Sequence, residues 1–191
     1  MLSILLPVRN EYENLDIIEK IFSENLSEIN YEAILINDFS TDNTLKKANE
    51  ISNKNKNFRT INNSNKGLGG AMNLGILESR GDYVCIVMAD LSDDINDLKK
   101  YYDLITKEKL DAVFGSRFVK NSKVINYPKR KLLLNRIFNL CVKIIFFNNY
   151  NDYTNAFKIY KASVLKSFLP LVSESFNVFL EMPLKAISRG Y

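Results

Sequence analysis

Three clusters of acidic and amide side chains each follow an apolar run. Pro7-Val8-Arg9-Asn10-Glu11 ends the run Leu2 to Val8, Asn37-Asp38 through Asp42 ends Tyr31 to Ile36, and Asp90-Leu91-Ser92-Asp93-Asp94 follows Asp82 to Met88. Carboxylates after a buried strand can hold a divalent ion through one or two side chains while a diphosphate supplies further oxygens. The ion then offsets the charge that develops on a departing diphosphate. Asp90, directly after its apolar run, is the strongest ligand candidate, with Ser92 and Asp93 beside it. Asp93 and Asp94 equally suit the first turn of the next helix, where acids complement the helix dipole. Lys66-Gly67-Leu68-Gly69-Gly70 precedes another helix start, where backbone N–H groups can face phosphate or substrate. It lacks both the Gly-Lys-Ser/Thr ending of a P-loop and the dinucleotide fingerprint. Alone it reads as well as a plain turn, just as each acidic cluster alone reads as a turn or cap. Together they describe a site.

Composition removes competing chemistries. The chain has no His, which excludes Ser-His-Asp and Cys-His catalysis, an imidazole zinc site and a His general base. A metal must then be held by oxygen, which favours Mg²⁺, Mn²⁺ or Ca²⁺. Cys85 and Cys141 form no CxxC pattern and read as free, buried thiols in a reducing compartment. No charged leader precedes Leu2, and no run approaches the roughly 20 apolar residues that span a bilayer, which predicts a cytoplasmic protein. Charge is divided unevenly. Residues 1–95 carry 9 basic and 15 acidic side chains, and residues 96–191 carry 17 and 7. Between Arg117 and Lys166 there are eleven Lys/Arg and only Asp152 as an acid. An acidic half suits a cation and a basic half an anionic partner. The basic residues are not grouped with a recognition motif or stacking aromatics, which argues against nucleic acid.

Positioning these groups requires alternating strands and helices. Strands are predicted at Leu2–Val8, Tyr31–Ile36, Asn57–Ile61, Asp82–Met88 and Asp111–Gly115. Helices are predicted at Glu13–Leu26, Asn43–Ile51 (capped by Asp42 or Ser40), Ala71–Glu78 and Ile95–Ile105. The Asn-rich stretch Asn53–Asn65 reads as solvated loop. Beyond Phe118 come a polar stretch to Pro128 that reads as a mobile loop, a long apolar helix at Lys131–Phe147, a strand at Ala156–Tyr160 and two further helices. The pattern predicts a single α/β domain, a mainly parallel sheet with helices on both faces. Residues 1–118 form its core and 119–191 a basic extension. Ligands of such sheets bind beyond the carboxyl ends of the strands, where all three acidic clusters lie. In the Lys131–Phe147 helix, basic and large apolar residues suit a helix lying in a bilayer interface. Alternatively Leu134, Ile137, Phe138 and Cys141 are core and the lysines reach out from a buried helix.

The segments S-I-L-L-P-V-R-N-E, I-N-D-F-S-T-D-N-T, N-K-G-L-G-G-A-M-N-L-G, M-A-D-L-S-D-D, F-G-S-R-F and D-Y-T-N-A-F-K-I-Y, in this order, resemble the GT-A fold family 2 glycosyltransferases. The dolichol-phosphate (polyprenyl-phosphate) mannose synthase-like group resembles the chain most closely, over about residues 3–160. The resemblance implies an inverting enzyme that moves a sugar from a nucleotide-diphosphate sugar, of GDP-mannose or UDP-hexose type, to a polyprenyl or dolichyl phosphate at the cytoplasmic membrane face. Two other readings stand beside it: the same donor with a glycan hydroxyl acceptor, and a non-catalytic nucleotide-sugar-binding module.

By resemblance, Pro7, Asn10 and Glu11 line a nucleoside pocket, Asp38 accepts from the base, and Lys66 with Gly67 closes the nucleotide side. Asp90 is the last acid of a D-x-D motif that holds Mg²⁺ or Mn²⁺, with Ser92 or Asp93 as substitute ligands. Arg117 and Arg130 contact phosphate, Asp152, Thr154 and Asn155 shape the sugar and acceptor end, and Glu181 stands where the family often has an acid. The sequence departs from the pattern in four places. Met88 replaces the first D-x-D acid, Asn37 the first of an aspartate pair, Asn73 a frequent Arg, and Ala156 a frequent Gly. Relatives continue beyond the equivalent of Tyr191, so the resemblance implies a fragment or a shortened member. An ionised phosphate acceptor needs no strong base. A hydroxyl acceptor needs one, and Asp152, Asp93 or Glu181 are the carboxylates available.

Overall fold

The computed structural model describes residues 1–119, 122 and 128–191. The expected loop to Pro128 falls largely outside them. The elements run β1 (Leu2–Val8), α1 (Tyr12–Asn25), β2 (Tyr31–Asn37), α2 (Thr44–Lys54), β3 (Phe58–Asn62), α3 (Leu68–Glu78), β4 (Tyr83–Ile86), α4 (Ile95–Lys107), β5 (Ala112–Phe114), α5 (Lys129–Ile145), β6 (Lys158–Lys161), α6 (Ala162–Ser167) and α7 (Val178–Ser188). They make one six-stranded sheet in the order β3-β2-β1-β4-β6-β5. Strands β1 to β4 pair in parallel, and β6 lies antiparallel between β4 and β5. The predicted parallel series is therefore interrupted. β5 keeps the common direction but reaches the sheet only through a strand from the C-terminal part.

Alternation along each strand divides the core in two. Leu2, Ile4, Leu6 and Val8 of β1 pack with Leu15, Ile18 and Phe22 of α1, Ala48 and Ile51 of α2, and Leu98 and Ile105 of α4. Leu5 faces the other way, with Ile34 and Ile36, against Met72 and Ile76 of α3, Leu165 of α6 and Phe179 and Met182 of α7. All seven residues of β1 are buried, as expected of a central parallel strand covered on both faces.

Loop chemistry sets the strand ends. β4 stops short of the predicted Met88 because the Met88 N–H turns to the Asp93 carboxylate at 3.0 Å instead of a neighbouring strand. Asp42 accepts from the Thr44 N–H at 2.9 Å and so starts α2 from two residues upstream. Ser40 instead accepts from the Asn10 N–H. The Asn-rich stretch is not a solvated loop: Phe58–Asn62 is the edge strand β3, and Asn63 is buried.

The apolar residues of α5 correct a second expectation. Its inward side carries Asn139 and Val142, both buried, with Asn135 one turn before. Leu134, Ile137, Phe138 and Cys141, read above as possible core, are all exposed. With Leu133 at 60%, Leu134 at 67%, Ile145 at 68% and Phe147 at 96% exposure, the helix is apolar on its outer side. The sequence pattern is amphipathic as anticipated, but the side that packs is the one with Asn135, Asn139 and Val142, and the basic Arg130, Lys131 and Arg136 lie outside with the large apolar residues. The pair of buried thiols is likewise half right, since only Cys85 is buried.

Candidate functional site

Three loops leave the carboxyl ends of β1, β2 and β4, and each contains a non-glycine residue in the left-handed region: Asn10 at φ 59°, Phe39 at 55° and Leu91 at 59°. Such conformations persist only where neighbours enforce them. Here the first two loops hold each other. Asn10 Oδ1 accepts from the Thr41 N–H at 2.8 Å, and the Glu11 N–H donates to Thr44 Oγ1 at 2.8 Å.

A cleft of about 370 Å³ opens beside them, lined by Pro7, Val8, Arg9, Glu11, Asp38, Gly67, Leu68, Met88, Glu174, Ser175 and Phe176. That volume lies within the size range of small-molecule pockets. Asp38 is buried, and its Oδ1 accepts from the Gly67 N–H at 2.9 Å and from Asn63 Nδ2 at 2.8 Å. Both bonds fall on one oxygen, which leaves Oδ2 for a ligand N–H. The glycine loop has a different reason for its glycines than a phosphate cradle. Gly67 has φ +115°, and a Cβ on Gly69 would stand 1.8 Å from the Ser173 carbonyl oxygen. The Gly69 N–H is already given to the Glu174 carbonyl at 3.1 Å. The loop thus seats the 173–174 segment as one wall of the cleft. Glu181 holds that wall from behind, accepting from the Val172 and Ser173 N–H groups and from Lys185. Burial raises its pKa, but those bonds outweigh it and bring the group down to about 2. Glu181 therefore braces the segment that leads into the cleft wall.

Of the predicted nucleotide residues, Pro7, Glu11, Asp38 and Gly67 share this cleft. Asn10 ties the loops together without lining it, and Lys66 is exposed beside it. Sequence reasoning missed Asn63, which secures Asp38, and the segment ending in Phe176. Asn63 carried no signal of its own among its neighbouring asparagines.

Met88 forms part of the cleft wall, and Asp90 lies two residues on, exposed, with Oδ1 accepting from the Ser92 N–H at 3.0 Å. Asp93 does not join it. Besides binding the Met88 N–H, it lines a separate small cavity of about 30 Å³ with Ile18, Phe22, Met88 and Phe157. Burial, reinforced by the charge of Asp90, raises its pKa to about 6 although the Met88 bond pulls the other way. This placement, on the Met88 N–H and among apolar side chains, sets Asp93 apart from the exposed Asp90. Among the described residues no group of three acids or thiols could enclose a cation. Asp90 alone fits a different arrangement, in which Mg²⁺ or Mn²⁺ keeps most of its oxygens from water and diphosphate and takes one from the protein.

Beyond β5 lies a second constellation. Arg117 donates from Nε to Asp152 Oδ2 at 2.8 Å and from Nη2 to Oδ1 at 2.7 Å, and its backbone N–H also reaches Oδ2 at 2.8 Å. Asp152 is fully buried. With both oxygens committed, Asp152 fixes the guanidinium. Thr154 Oγ1 accepts from Arg117 at 3.1 Å and donates to Asn135 Oδ1 at 2.9 Å. Asn139 Oδ1 accepts from the Tyr153 N–H at 2.6 Å, and Asn155 Nδ2 donates to the Gly115 carbonyl. The inner asparagines of α5, not singled out in the sequence, thereby dock this helix on the 152–155 segment that holds Arg117. Two amides spaced four apart on an apolar helix were the available signal. Arg130 is exposed in the first turn of α5.

Comparison with known proteins agrees with this layout. Residues 3–169 match the family model described as glycosyl transferase family 2. A dolichol-phosphate mannosyltransferase of Pyrococcus furiosus is 34% identical over 134 residues, covering 70% of this chain and 38% of that protein. A dolichyl-phosphate beta-glucosyltransferase of Dictyostelium discoideum is 30% identical over 186 residues, covering 88% and 56%. The chain thus spans about half the length, or less, of these curated relatives. In fold it is similar to glucosyl-3-phosphoglycerate synthase of Mycobacterium tuberculosis, solved with Mn²⁺, uridine diphosphate and glucosyl-3-phosphoglycerate. The TM-score is 0.70 at 18% identity, over 99% of this chain and 66% of that one. Another structure of that synthase gives 0.74 at 16% identity, over 99% and 67%. The sheet, the three loops at its carboxyl edge and these matches lead to one assignment: the chain belongs to the glycosyl transferase family 2, in a GT-A fold.

Proposed function

We propose that this chain binds a nucleotide-diphosphate sugar, of GDP-mannose or UDP-hexose type, in the cleft at Asp38 and Glu11. In this reading it transfers the sugar, with inversion, to a polyprenyl or dolichyl phosphate. The observation that carries the proposal is the pairing of two surfaces. An acid-lined cleft with one open carboxylate oxygen on Asp38 lies at the edge of the sheet that also bears Asp90. The Arg117 loop is fixed to a helix whose outer side is apolar and basic. The names of the dolichyl-phosphate sugar transferases support the acceptor, and the Mn²⁺ and uridine diphosphate of the fold neighbour support the donor.

In this reading Glu11 and Asp38 hold the nucleoside, and Pro7 with Gly67 shapes the pocket. Asp90 would hold the Mg²⁺ or Mn²⁺ that arrives with the diphosphate, with Ser92 beside it. When bound, that ion offsets the negative charge of the leaving nucleotide. Arg117, kept in one orientation by Asp152 and Thr154, faces the acceptor phosphate, with Arg130 as a second cation. A phosphate monoester is already ionised at neutral pH and needs no base. That agrees with a site whose buried Asp152 is fully bonded, and it disfavours a hydroxyl acceptor.

The acceptor is a lipid, and α5 supplies the contact. Leu133, Leu134, Ile144 and Ile145 are exposed among Arg130, Lys131, Arg136 and Lys143. This is the composition of a helix in the plane of an anionic bilayer surface. Among the described residues no helix is long and apolar enough to cross a membrane. The exposed apolar and basic residues of α5 support peripheral contact at the cytoplasmic face.

The test is a thermal-shift screen of GDP-, UDP- and dTDP-sugars with Mn²⁺, followed by transfer to a short-chain polyprenyl phosphate. One sugar nucleotide is expected to raise the Tm and to be turned over. Binding without turnover under any acceptor would establish the binding-module reading favoured by Met88. No binding at all would overturn both.

A further inference from the structure

Lys158 opens β6, level with Ile86 of β4 and Phe114 of β5 on either side, and is fully buried. Lysine is almost never buried in this way without partners. Its Nζ donates to the Tyr153 carbonyl at 3.1 Å and the Phe179 carbonyl at 3.4 Å, and lies 6.0 Å from the centre of the Phe114 ring. Burial lowers its pKa to about 7, against the pull of Asp152.

The second of those bonds has a cause in the sequence of α7. In an α-helix the carbonyl of residue 179 accepts from the N–H of residue 183, and residue 183 is proline, inside the helix. Phe179 is therefore left with a buried carbonyl lacking its helical donor, and Lys158 supplies one. The first bond acts on the peptide next to Asp152. Tyr153 is held at its N–H by Asn139 of α5 and at its carbonyl by Lys158. Fixing both sides of that residue fixes the preceding carboxylate that receives Arg117.

We propose that Lys158 is a positioning residue: by joining the Tyr153 peptide to the carbonyl that Pro183 leaves open on α7, it sets the orientation of Asp152 and Arg117 and locks their loop to the helix that supports the nucleotide cleft. The link to the cleft is Glu181, which lies on α7 and holds Val172 and Ser173. The proposal rests on the reading that Arg117 serves the transfer step.

Three variants test it: K158M, K158R and P183A/K158M. In K158M, amide hydrogen exchange is expected to rise together in residues 152–157 and 179–182. In P183A/K158M the helical donor is restored, so 179–182 regains protection while 152–157 stays exchanging. For turnover, K158M is expected to lose roughly 10- to 100-fold in kcat, the usual cost of misplaced reacting groups. The Kd of the nucleotide selected by the screen, with Mn²⁺, should stay within about threefold, since the cleft residues are untouched. K158R, which keeps a charged donor, should recover part of kcat. Unchanged exchange at 152–157, or a lower Tm with full kcat, overturns the proposal. So does full turnover in P183A/K158M, the variant that carries the test should K158M not fold. If the parent itself transfers no sugar, the functional reading fails, and the exchange pattern alone still decides whether Lys158 makes this joint.

Discussion

Asp38 shows how much can depend on which oxygen of a carboxylate is occupied. Gly67 and Asn63 both bind Oδ1, so D38A would strand the Gly67 N–H, while the buried Asn63 keeps its side-chain N–H bonds to the Asn65 and Gly67 carbonyls. Its expected cost is about 1–3 kcal/mol for the unsatisfied group, read from urea unfolding, together with loss of nucleotide binding by calorimetry. R117A is a harsher change, because it leaves the fully buried Asp152 without its ion pair; about 3–5 kcal/mol is expected. R117K should fold better yet transfer poorly, since an ammonium cannot reproduce the two-pronged bond. Glu11, Asp38 and Gly67 could be read from the sequence as candidates because their types matched a family pattern at fixed positions, and they line one cleft. Asn63 and Lys158 were not. One is an asparagine among asparagines, and the other a lysine at a core-facing strand position, where only the later proline in α7 explains its partner.

At the scale of elements, the cleft wall formed by residues 174–176, with the 172–173 segment that leads into it, depends on α3 and α7. G69A places a methyl group against the Ser173 carbonyl, which as backbone cannot swing aside. The segment should come loose, giving faster proteolysis there and a stability loss of about 1–3 kcal/mol. Glu181 makes the same wall sensitive to acid. Its folded pKa, about 2, lies below the ordinary carboxylate value of 4.5. The stabilisation is therefore complete above pH 4.5 and is lost as pH falls toward 2. The stability difference between the parent and E181Q, followed by urea midpoints, should narrow over that interval and stay constant above it. Most strands and helices could be read from periodicity to within a few residues. The facing of α5 could not, because periodicity shows that a helix has two sides without showing which one meets the protein.

For the whole molecule, the outward apolar side of α5 predicts attachment to lipid. L134E/I145E should reduce binding to anionic vesicles by about tenfold or more in sedimentation. The Tm should hardly move, because substitutions at exposed positions cost within about 0.5 kcal/mol. Binding by the parent should weaken with added salt. The α/β class and the common address of the three loops followed from the alternation of strands and helices. The sheet order did not, since nothing local announces that Lys158–Lys161 will enter in reverse between β4 and β5.

That reversed entry governs how the polypeptide can be assembled. During synthesis β4 emerges with one flank bare, and β5 follows with nothing to join, until residues 158–161 leave the ribosome and close the seam. A chain that stops before Lys158 leaves that seam open, so a shorter piece ending at residue 118 should stick to its own copies instead of standing alone.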